Sequence, residues 1–194
     1  MKILITGGNG KLANEIKKVK TTHDIIFADK DLLNLSYFTN TKGIETFCKD
    51  KYFDVIVGNA NKYQGVKVED GMFNLDGPEV TLGHSYLITK LEVKPKYYIN
   101  FTTTLSMLDE YYFYRAVKTF NEDYLYRFFK SEYPNIKYFN IHPGHIDDEK
   151  NRISASKLLI NFIDNIENYN LLNYNMDHDF NIINEHEGKT LSWK

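Results

Sequence analysis

The strongest chemical signal in the sequence is a glycine turn that follows its first apolar run. Lys2–Thr6 has the composition of a short buried strand, and Gly7, Gly10 and Ala13 follow it in a G-x-x-G-x-x-A spacing. Backbone N–H groups at such a turn attract anions, and glycines let a phosphate approach the backbone closely. The turn therefore predicts a pyrophosphate site, with an ordinary strand–turn–helix connection as the alternative. The residues assigned to this site are Gly7, Asn9, Gly10, Lys11 and Leu12.

An acidic residue, Asp29, follows the second apolar run at the position where dinucleotide-binding domains hold the adenosine ribose. A carboxylate there favours NAD, because it would repel the 2′-phosphate of NADP. Lys30 and Lys11 act in the opposite sense, since either could neutralise that phosphate. The sequence thus favours NAD over NADP as the cofactor without excluding NADP. The alternative is that Asp29 belongs to a solvated turn.

Strand and helix patterns alternate along the chain, which predicts an α/β fold, a Rossmann-type doubly wound parallel sheet. We expect a single domain spanning residues 1–194, with its ligand at the carboxyl ends of the strands near the topological switch point. The predicted strands are Lys2–Thr6, Asp24–Ala28, Asp54–Gly58, Lys96–Thr102, Ile136–Ile141 and, more weakly, Phe180–Ile183. The predicted helices are Lys11–Lys20, Tyr37–Lys51, Gly71–Glu92, Tyr111–Glu132 and Ser154–Glu167.

With the segment Gly58-Asn59-Ala60-Asn61, the sequence resembles the short-chain dehydrogenase/reductase family. That family places a similar segment after its fourth strand, beside the cofactor. Asp31–Ser36 is similar to the family's adenine-contacting segment, and the motif likeness extends to about residue 148. The further cofactor contacts that the resemblance implies are Asn34, Leu35, Asn59, Ala60, Lys118, Pro143, Gly144 and Ile146.

The resemblance also implies a set of catalytic residues, in the order in which the family has them. Asn74 takes the place of the catalytic Asn, Thr103 that of the catalytic Ser, and Tyr114 and Lys118 form the Tyr-x-x-x-Lys motif. Thr102 or Thr104 could serve instead of Thr103. The Tyr-x-x-x-Lys pattern recurs in this chain, for example at Tyr126/Lys130, so only the position along the chain selects Tyr114 and Lys118.

Taken together, these matches imply an NAD(P)-dependent oxidoreductase that acts on a small carbonyl or alcohol. A spacing of four places Tyr114 and Lys118 on one face of a helix, one turn apart. Tyr114 would exchange a proton with the substrate oxygen, and the ammonium of Lys118 would lower the pKa of that phenol. Lys118 would also hold the nicotinamide ribose, Thr103 would bond the substrate oxygen, and Asn74 would join the proton relay.

Composition excludes several other classes of function. The net charge is −2 without a basic face, so we expect no binding to nucleic acid or to a membrane surface. The single cysteine, Cys48, cannot form an intramolecular disulfide, and no apolar stretch spans a bilayer. We therefore expect a cytoplasmic protein. No residue pattern suggests a metal site, and His84 is expected on a helix surface.

The sequence departs from the family in ways that leave alternatives open. One helix and strand between Asp29 and Asp54 are missing or shortened, and the substrate segment after Gly144 is nearly absent. A non-catalytic dinucleotide-binding or regulatory protein is therefore the alternative function, and a sugar-nucleotide epimerase is a third. The aromatic residues of Tyr111–Glu132 are too many for one buried stripe, which predicts a homodimer or tetramer.

Overall fold

The computed structural model describes residues 1–60, 76–101, 112–142 and 149–169 and three short strands at 173–176, 182–184 and 189–191. Side chains are described for residues 1–60, 78–101, 117–141 and 149–169. The helices are α1 (Lys11–Ile16), α2 (Tyr37–Cys48), α3 (Asp76–Lys90), α4 (Tyr112–Glu132) and α5 (Glu149–Asp164), and a 3₁₀ turn follows at Ile166–Asn168. The strands are β1 (Lys2–Thr6), β2 (Asp24–Ala28), β3 (Val55–Gly58), β4 (Tyr97–Phe101), β5 (Lys137–His142), β6 (Asn173–Met176), β7 (Ile182–Asn184) and β8 (Lys189–Leu191).

The strands form one sheet in the order β2-β1-β3-β4-β5-β6-β7-β8, so the predicted Rossmann-type α/β fold is confirmed. Strands β1 to β6 pair in parallel, whereas β7 and β8 add antiparallel pairs at one edge. The chain moves outward from β1 to β2 on one side and from β3 to β4 on the other. The switch point therefore lies between β1 and β3, where ligands bind in open sheets of this kind.

Alternating residues of the central strands supply two separate cores. Ile5, Val57 and Ile99 pack with α1 and α5 on one face, whereas Leu4 and Ile56 pack with α2, α3 and α4 on the other. Successive side chains of a strand point to opposite faces, so strands buried on both sides are apolar throughout. This pattern explains why the short apolar runs in the sequence identify the central strands well.

Several element boundaries differ from those predicted. Helix α1 ends at Ile16 rather than Lys20, because the N–H groups of Lys18 and Val19 bond the carbonyls three residues back and tighten the last turn. Helix α5 begins at Glu149 rather than Ser154. The strand predicted at Phe180–Ile183 lies at Ile182–Asn184.

Strands β6 and β8 were not predicted. Both lie near the edge of the sheet and are too short and too polar to form an apolar run.

The predicted loss of a strand between Asp29 and Asp54 is confirmed. Helix α2 alone connects β2 to β3, and β2 is the edge of the sheet. The switch point, between β1 and β3, therefore lies only one strand away from this edge.

A second side of α4, next to its fully buried side, carries a row of stacked aromatic rings. Phe120 is 40% exposed and stacks on Tyr124, which stacks in turn on Phe128. The inner side of the same helix is buried through Leu125 and Phe129. Apolar side chains thus cover more than one face of α4, as predicted, and self-association through this helix stays a prediction.

Candidate functional site

The predicted glycine turn joins β1 to α1 and requires glycine at its first position. Gly7 has φ +71, and a Cβ added there would lie 3.0 Å from the Cα of Ala60. The N–H of Gly10 donates to the carbonyl of Gly7 at 2.9 Å, which closes the turn. Helix α1 has only six residues. The attraction for an anion therefore depends on the amides of the turn more than on a helix dipole.

Gly8, which is not among the predicted site residues, holds this turn against the end of β2. Its N–H donates to the carbonyl of Ala28 at 2.9 Å, and an added Cβ would lie 2.8 Å from the carbonyl carbon of Phe27. A side chain at Gly8 would push the turn away from β2. The available signal was the second glycine directly after Gly7.

Asp29 lies where it was predicted, directly after β2, and faces the glycine turn. One carboxylate oxygen accepts a hydrogen bond from the side-chain amide of Asn9 at 2.8 Å, and the other accepts from the N–H of Leu32 at 3.0 Å. Lys11 and Lys30 are exposed on the same cleft. The carboxylate is thus held in place without a lysine partner among the described residues.

The Thr6 hydroxyl ties the end of β1 to the end of β3 at the switch point. It accepts from the N–H groups of Asn59 at 3.1 Å and Ala60 at 2.9 Å, and it donates to the carbonyl of Val57 at 3.2 Å. The side-chain amide of Asn59 donates back to the carbonyl of Thr6 at 3.1 Å. These bonds fix the predicted Asn59-Ala60 segment beside the glycine turn.

An open cleft of about 830 Å³ lies over this end of the sheet. Such a volume is within the range of cofactor sites, roughly 300–1,000 Å³. The structure brings together around it all the predicted cofactor-contacting residues of the first sixty positions. These residues are Gly7, Asn9, Gly10, Lys11, Leu12, Asp29, Asn34, Leu35, Asn59 and Ala60. Lys30, Asp31, Leu33, Ser36 and Val80 complete the lining.

Helix α3 supports the far wall of this cleft through close contact with the loop after β2. An added Cβ at Gly83 would lie 2.0 Å from the carbonyl oxygen of Leu35, so glycine is required there. Glu79, at the start of α3, accepts from the N–H of Phe38 at 3.1 Å. The loop that carries Asn34 and Leu35 is thus held by α3 as well as by its own local hydrogen bonds.

Part of the catalytic assignment lies outside the described residues. Asn74, Thr103, Pro143, Gly144 and Ile146 belong to this part. Tyr114 lies within α4, but its side chain is outside the described set. Helix α4 nevertheless includes both Tyr114 and Lys118, so the backbone places the two residues one turn apart on the same helix.

Lys118 is buried, with 6% of its surface exposed. Burial lowers the pKa of its ammonium group to about 8, and the carboxylate of Glu122 opposes part of this change. The side chain lines a small cavity of about 10 Å³ together with His84 and Asn100, and this cavity shares Ala60 and Val80 with the cleft. A buried cation therefore lines a cavity that adjoins the predicted cofactor site.

His84 is buried and 3% exposed, so the prediction that it lies on a helix surface was wrong. Helix α3 packs against both α2 and α4, which leaves it little exposed surface. The His84 Nδ1 atom lies 2.5 Å from the Tyr98 hydroxyl, and its Nε2 atom lies 3.5 Å from the Thr6 hydroxyl. Gly58 makes room for the pair, because an added Cβ would lie 2.3 Å from that Tyr98 oxygen.

Two further clusters of hydrogen-bonded polar side chains are buried in the same part of the molecule as His84 and Tyr98. Asn100 donates to the side-chain oxygen of Asn140 at 2.9 Å, and the Tyr138 hydroxyl donates to the same oxygen at 2.5 Å. Thr81 donates to the side chain of Asn121. Such buried polar groups are stable only when they are bonded to one another. The sequence signals were polar residues inside apolar strands, at Asn100 and Asn140.

We predict that His84 makes the protein sensitive to acid. Burial, together with the nearby Lys118 ammonium, lowers the pKa of His84 from 6.5 to about 3. Below pH 6.5 His84 therefore binds a proton in the unfolded chain but stays neutral in the folded chain, so stability falls as the pH falls. The expected loss from this residue is about 2 kcal/mol between pH 7 and about pH 5. Urea unfolding of wild type and His84→Gln at the two pH values should show a smaller fall in the free energy of unfolding for the variant. Equal falls in the two proteins would contradict the prediction.

Within the described residues, no helix has the length and apolar character needed to cross a membrane. No group of three His, Cys, Asp or Glu residues in that part of the chain is arranged to hold a metal ion. Cys48 is a buried free thiol whose pKa is raised to about 11, chiefly by burial. The Cys48 thiol is therefore protonated and unreactive at neutral pH.

No family model matches the sequence, and neither does any curated protein. Solved structures do resemble the fold. Serine dehydrogenase from Escherichia coli has a TM-score of 0.66 at 16% identity, over 91% of this chain and 97% of that chain. A dTDP-4-dehydrorhamnose reductase from Clostridium acetobutylicum has a TM-score of 0.60 at 18% identity, over 90% of this chain and 73% of that chain. A small-chain dehydrogenase in complex with NADPH has a TM-score of 0.56 at 16% identity, over 74% of this chain and 70% of that chain.

The resemblance to short-chain dehydrogenases is therefore confirmed for the fold. Identities of 16% and 18% carry no information about cofactor or substrate. The function is therefore inferred from the residues of the cleft and of the cavity beside it.

Proposed function

We propose that this protein is an NAD(P)-dependent oxidoreductase of the short-chain dehydrogenase/reductase type, acting on a small carbonyl or alcohol. One observation carries the proposal: the cleft at the switch point shares the wall formed by Ala60 and Val80 with the cavity that holds Lys118. A dinucleotide site and a buried cation are thus adjacent. In a hydride-transfer enzyme the proton-transfer groups must lie beside the reactive end of the cofactor.

The residues present fit a dinucleotide. Gly7 and Gly10 both line the cleft, and a Cβ at either would crowd the turn, at 3.0 Å from the Ala60 Cα or 3.1 Å from the Gly7 carbonyl oxygen respectively. The turn would hold the pyrophosphate and Asp29 the adenosine ribose, with Asn34 and Leu35 beside the adenine. A carboxylate at Asp29 favours NAD over NADP. The bound dinucleotide would supply the hydride.

The remaining residues would handle the proton and the substrate. Tyr114 would exchange a proton with the substrate oxygen, and the Lys118 ammonium would stabilise the phenolate form of that tyrosine. Thr103 would donate a hydrogen bond to the same substrate oxygen. Asn74 would connect Lys118 to solvent, and Pro143, Gly144 and Ile146 would border the nicotinamide.

A non-catalytic dinucleotide-binding protein is the second candidate. Strand β5 ends at His142 and α5 begins at Glu149, so the connection is too short to include a substrate-binding excursion. An enzyme built this way would need a small substrate or a pocket completed by a second subunit. A regulatory protein would need neither.

Thermal unfolding in the presence of NAD⁺, NADH, NADP⁺ and NADPH tests the proposal. A ligand at about 100 times its dissociation constant adds roughly 2.7 kcal/mol, which corresponds to a rise in Tm of about 5–10 °C for a chain of this size. We expect a larger rise with NADH than with NADPH. Gly10→Val is the comparison variant, because φ −67 at Gly10 suits an L residue, whereas the added Cβ would lie 3.1 Å from the Gly7 carbonyl oxygen and disturb the turn expected to hold the phosphate.

The absence of any shift with all four dinucleotides would contradict both candidates. A shift with no oxidation of NADH or NADPH, across a panel of small aldehydes and ketones, would favour the non-catalytic protein. A shift accompanied by oxidation, absent in Gly10→Val, is the result expected of the enzyme.

A further inference from the structure

The side chain of Asn9 connects the glycine turn directly to the residue expected to select the cofactor. Its amide donates to one Asp29 carboxylate oxygen at 2.8 Å, while the N–H of Leu32 donates to the other at 3.0 Å. The bond from Leu32 comes from the loop after β2 and is local. The bond from Asn9 comes from the glycine turn after β1, and it turns the carboxylate towards that turn.

The backbone around Asn9 is fixed, so this bond follows from the fold. Gly8, the preceding residue, is bonded to Ala28 at the end of β2, and the Lys17 ammonium donates to the Gly8 carbonyl at 2.7 Å. The absence of a Cβ at Gly8 lets the turn lie against Phe27. Asn9 is thereby held within reach of the carboxylate, although its own side chain is exposed.

The charges around the cleft make the orientation of this carboxylate important. Lys11, Lys30 and Asp31 are all exposed and line the same cleft as Asp29. With Asp29 held towards the turn, a negative group faces the ribose site and opposes a 2′-phosphate. If the carboxylate rotated away, the lysines would dominate the local field, and a phosphate would be accepted more readily.

We propose that Asn9 is a positioning residue that sets the preference of the site for NADH over NADPH by orienting the Asp29 carboxylate. This inference rests on the proposed function, because it concerns the same cofactor site. Asn9 acts through Asp29, so removing its amide has an effect only while the carboxylate is present.

A double-mutant cycle on cofactor affinity tests the inference. The dissociation constants of NADH and NADPH are measured by fluorescence titration for wild type, Asn9→Ala, Asp29→Asn and the double variant. We expect Asn9→Ala to reduce the preference for NADH by about three- to tenfold, as for the loss of one partly exposed hydrogen bond to a charged group. In the Asp29→Asn background, the same change should leave the preference unchanged.

Asn135→Ala is the matched control, since it removes an exposed asparagine, between α4 and β5, that does not line the cleft. Its preference should equal that of wild type. Binding of both cofactors with an unchanged preference in Asn9→Ala would overturn the inference and leave the proposed function standing. An equal effect of Asn9→Ala with and without the carboxylate would also overturn it. Wild-type protein that binds neither cofactor would overturn the proposed function, and the inference with it.

Discussion

Tyr114→Phe should reduce turnover by about 10²- to 10⁴-fold, the usual contribution of a positioned proton donor. The ring remains, so the fold and the affinity for NADH should stay within about twofold of wild type. Steady-state rates with a small carbonyl and fluorescence titration of NADH measure the two effects. A variant that turns over as fast as wild type would remove Tyr114 from the mechanism.

The chain contains its own control for this experiment. Tyr126 and Lys130 repeat the Tyr-x-x-x-Lys spacing on the same helix, but Lys130 is exposed and its ammonium lies 3.4 Å from the Tyr126 hydroxyl. Tyr126→Phe removes a tyrosine hydroxyl from the same helix, away from the cleft. We expect its turnover to equal that of wild type.

Lys118→Met should abolish turnover and at the same time raise the free energy of unfolding at pH 7. Methionine has a similar length and no charge, so the variant removes a buried ammonium from a site that disfavours it. Burial lowers the pKa of Lys118 from 10.5 to about 8. Because one pKa unit corresponds to about 1.4 kcal/mol, we expect a stabilisation of about 2 kcal/mol after the loss of the lysine's own contacts. Urea unfolding provides the measurement.

The pH dependence of this stabilisation has a definite sign. Between pH 8 and pH 10.5 the unfolded chain holds a proton on Lys118 that the folded chain has lost, so wild-type stability gains relative to the variant as the pH rises. The advantage of Lys118→Met should therefore shrink by about 1 kcal/mol from pH 7 to about pH 9. Lys130→Met, at an exposed position of the same helix, should change stability by no more than about 0.5 kcal/mol. A Lys118→Met protein that is less stable than wild type and fully active would contradict both parts of the prediction.

These two variants also separate the two candidate functions. A cofactor-binding regulatory protein has no turnover to lose, and its affinity for NADH would tolerate Tyr114→Phe. The stabilisation of Lys118→Met would persist in either case, because it depends on the burial and contacts of Lys118 and not on turnover. Activity and stability together therefore report on separate properties of the same helix.

Much of the cofactor half of the site could be predicted from local sequence. Gly7, Asp29 and Asn59 each lie directly after a strand, and the carboxyl ends of parallel strands meet at one edge of a sheet. Apolar runs such as those of β1 and β3, which are buried on both faces, are easy to recognise, so the topology places the residues that follow them. The loss of a strand before Asp54 could also be predicted, because the chain between β2 and β3 is too short to hold another helix and strand.

The other part of the site depends on contacts that no local pattern encodes. Gly8 and Asn9 matter because the turn lies against β2, and His84 is buried because α3 packs between two other helices. The burial of the two lysines in Tyr-x-x-x-Lys patterns on α4 also depends on tertiary packing. Lys118 and Lys130 follow tyrosines at the same spacing on one helix, yet one is buried beside the cleft and the other is exposed to solvent.

The sequence by itself determined the order of the elements and the positions of the glycine turn, the acid and the Asn-Ala segment. These depend on backbone conformation and strand burial, which short stretches of chain specify. Only the tertiary structure decided which of these lysines is buried beside the cleft and which groups are desolvated. The pKa values of Lys118 and His84 follow from that desolvation. Burial of a side chain is a property of the whole packed molecule, since residues distant in sequence exclude the water.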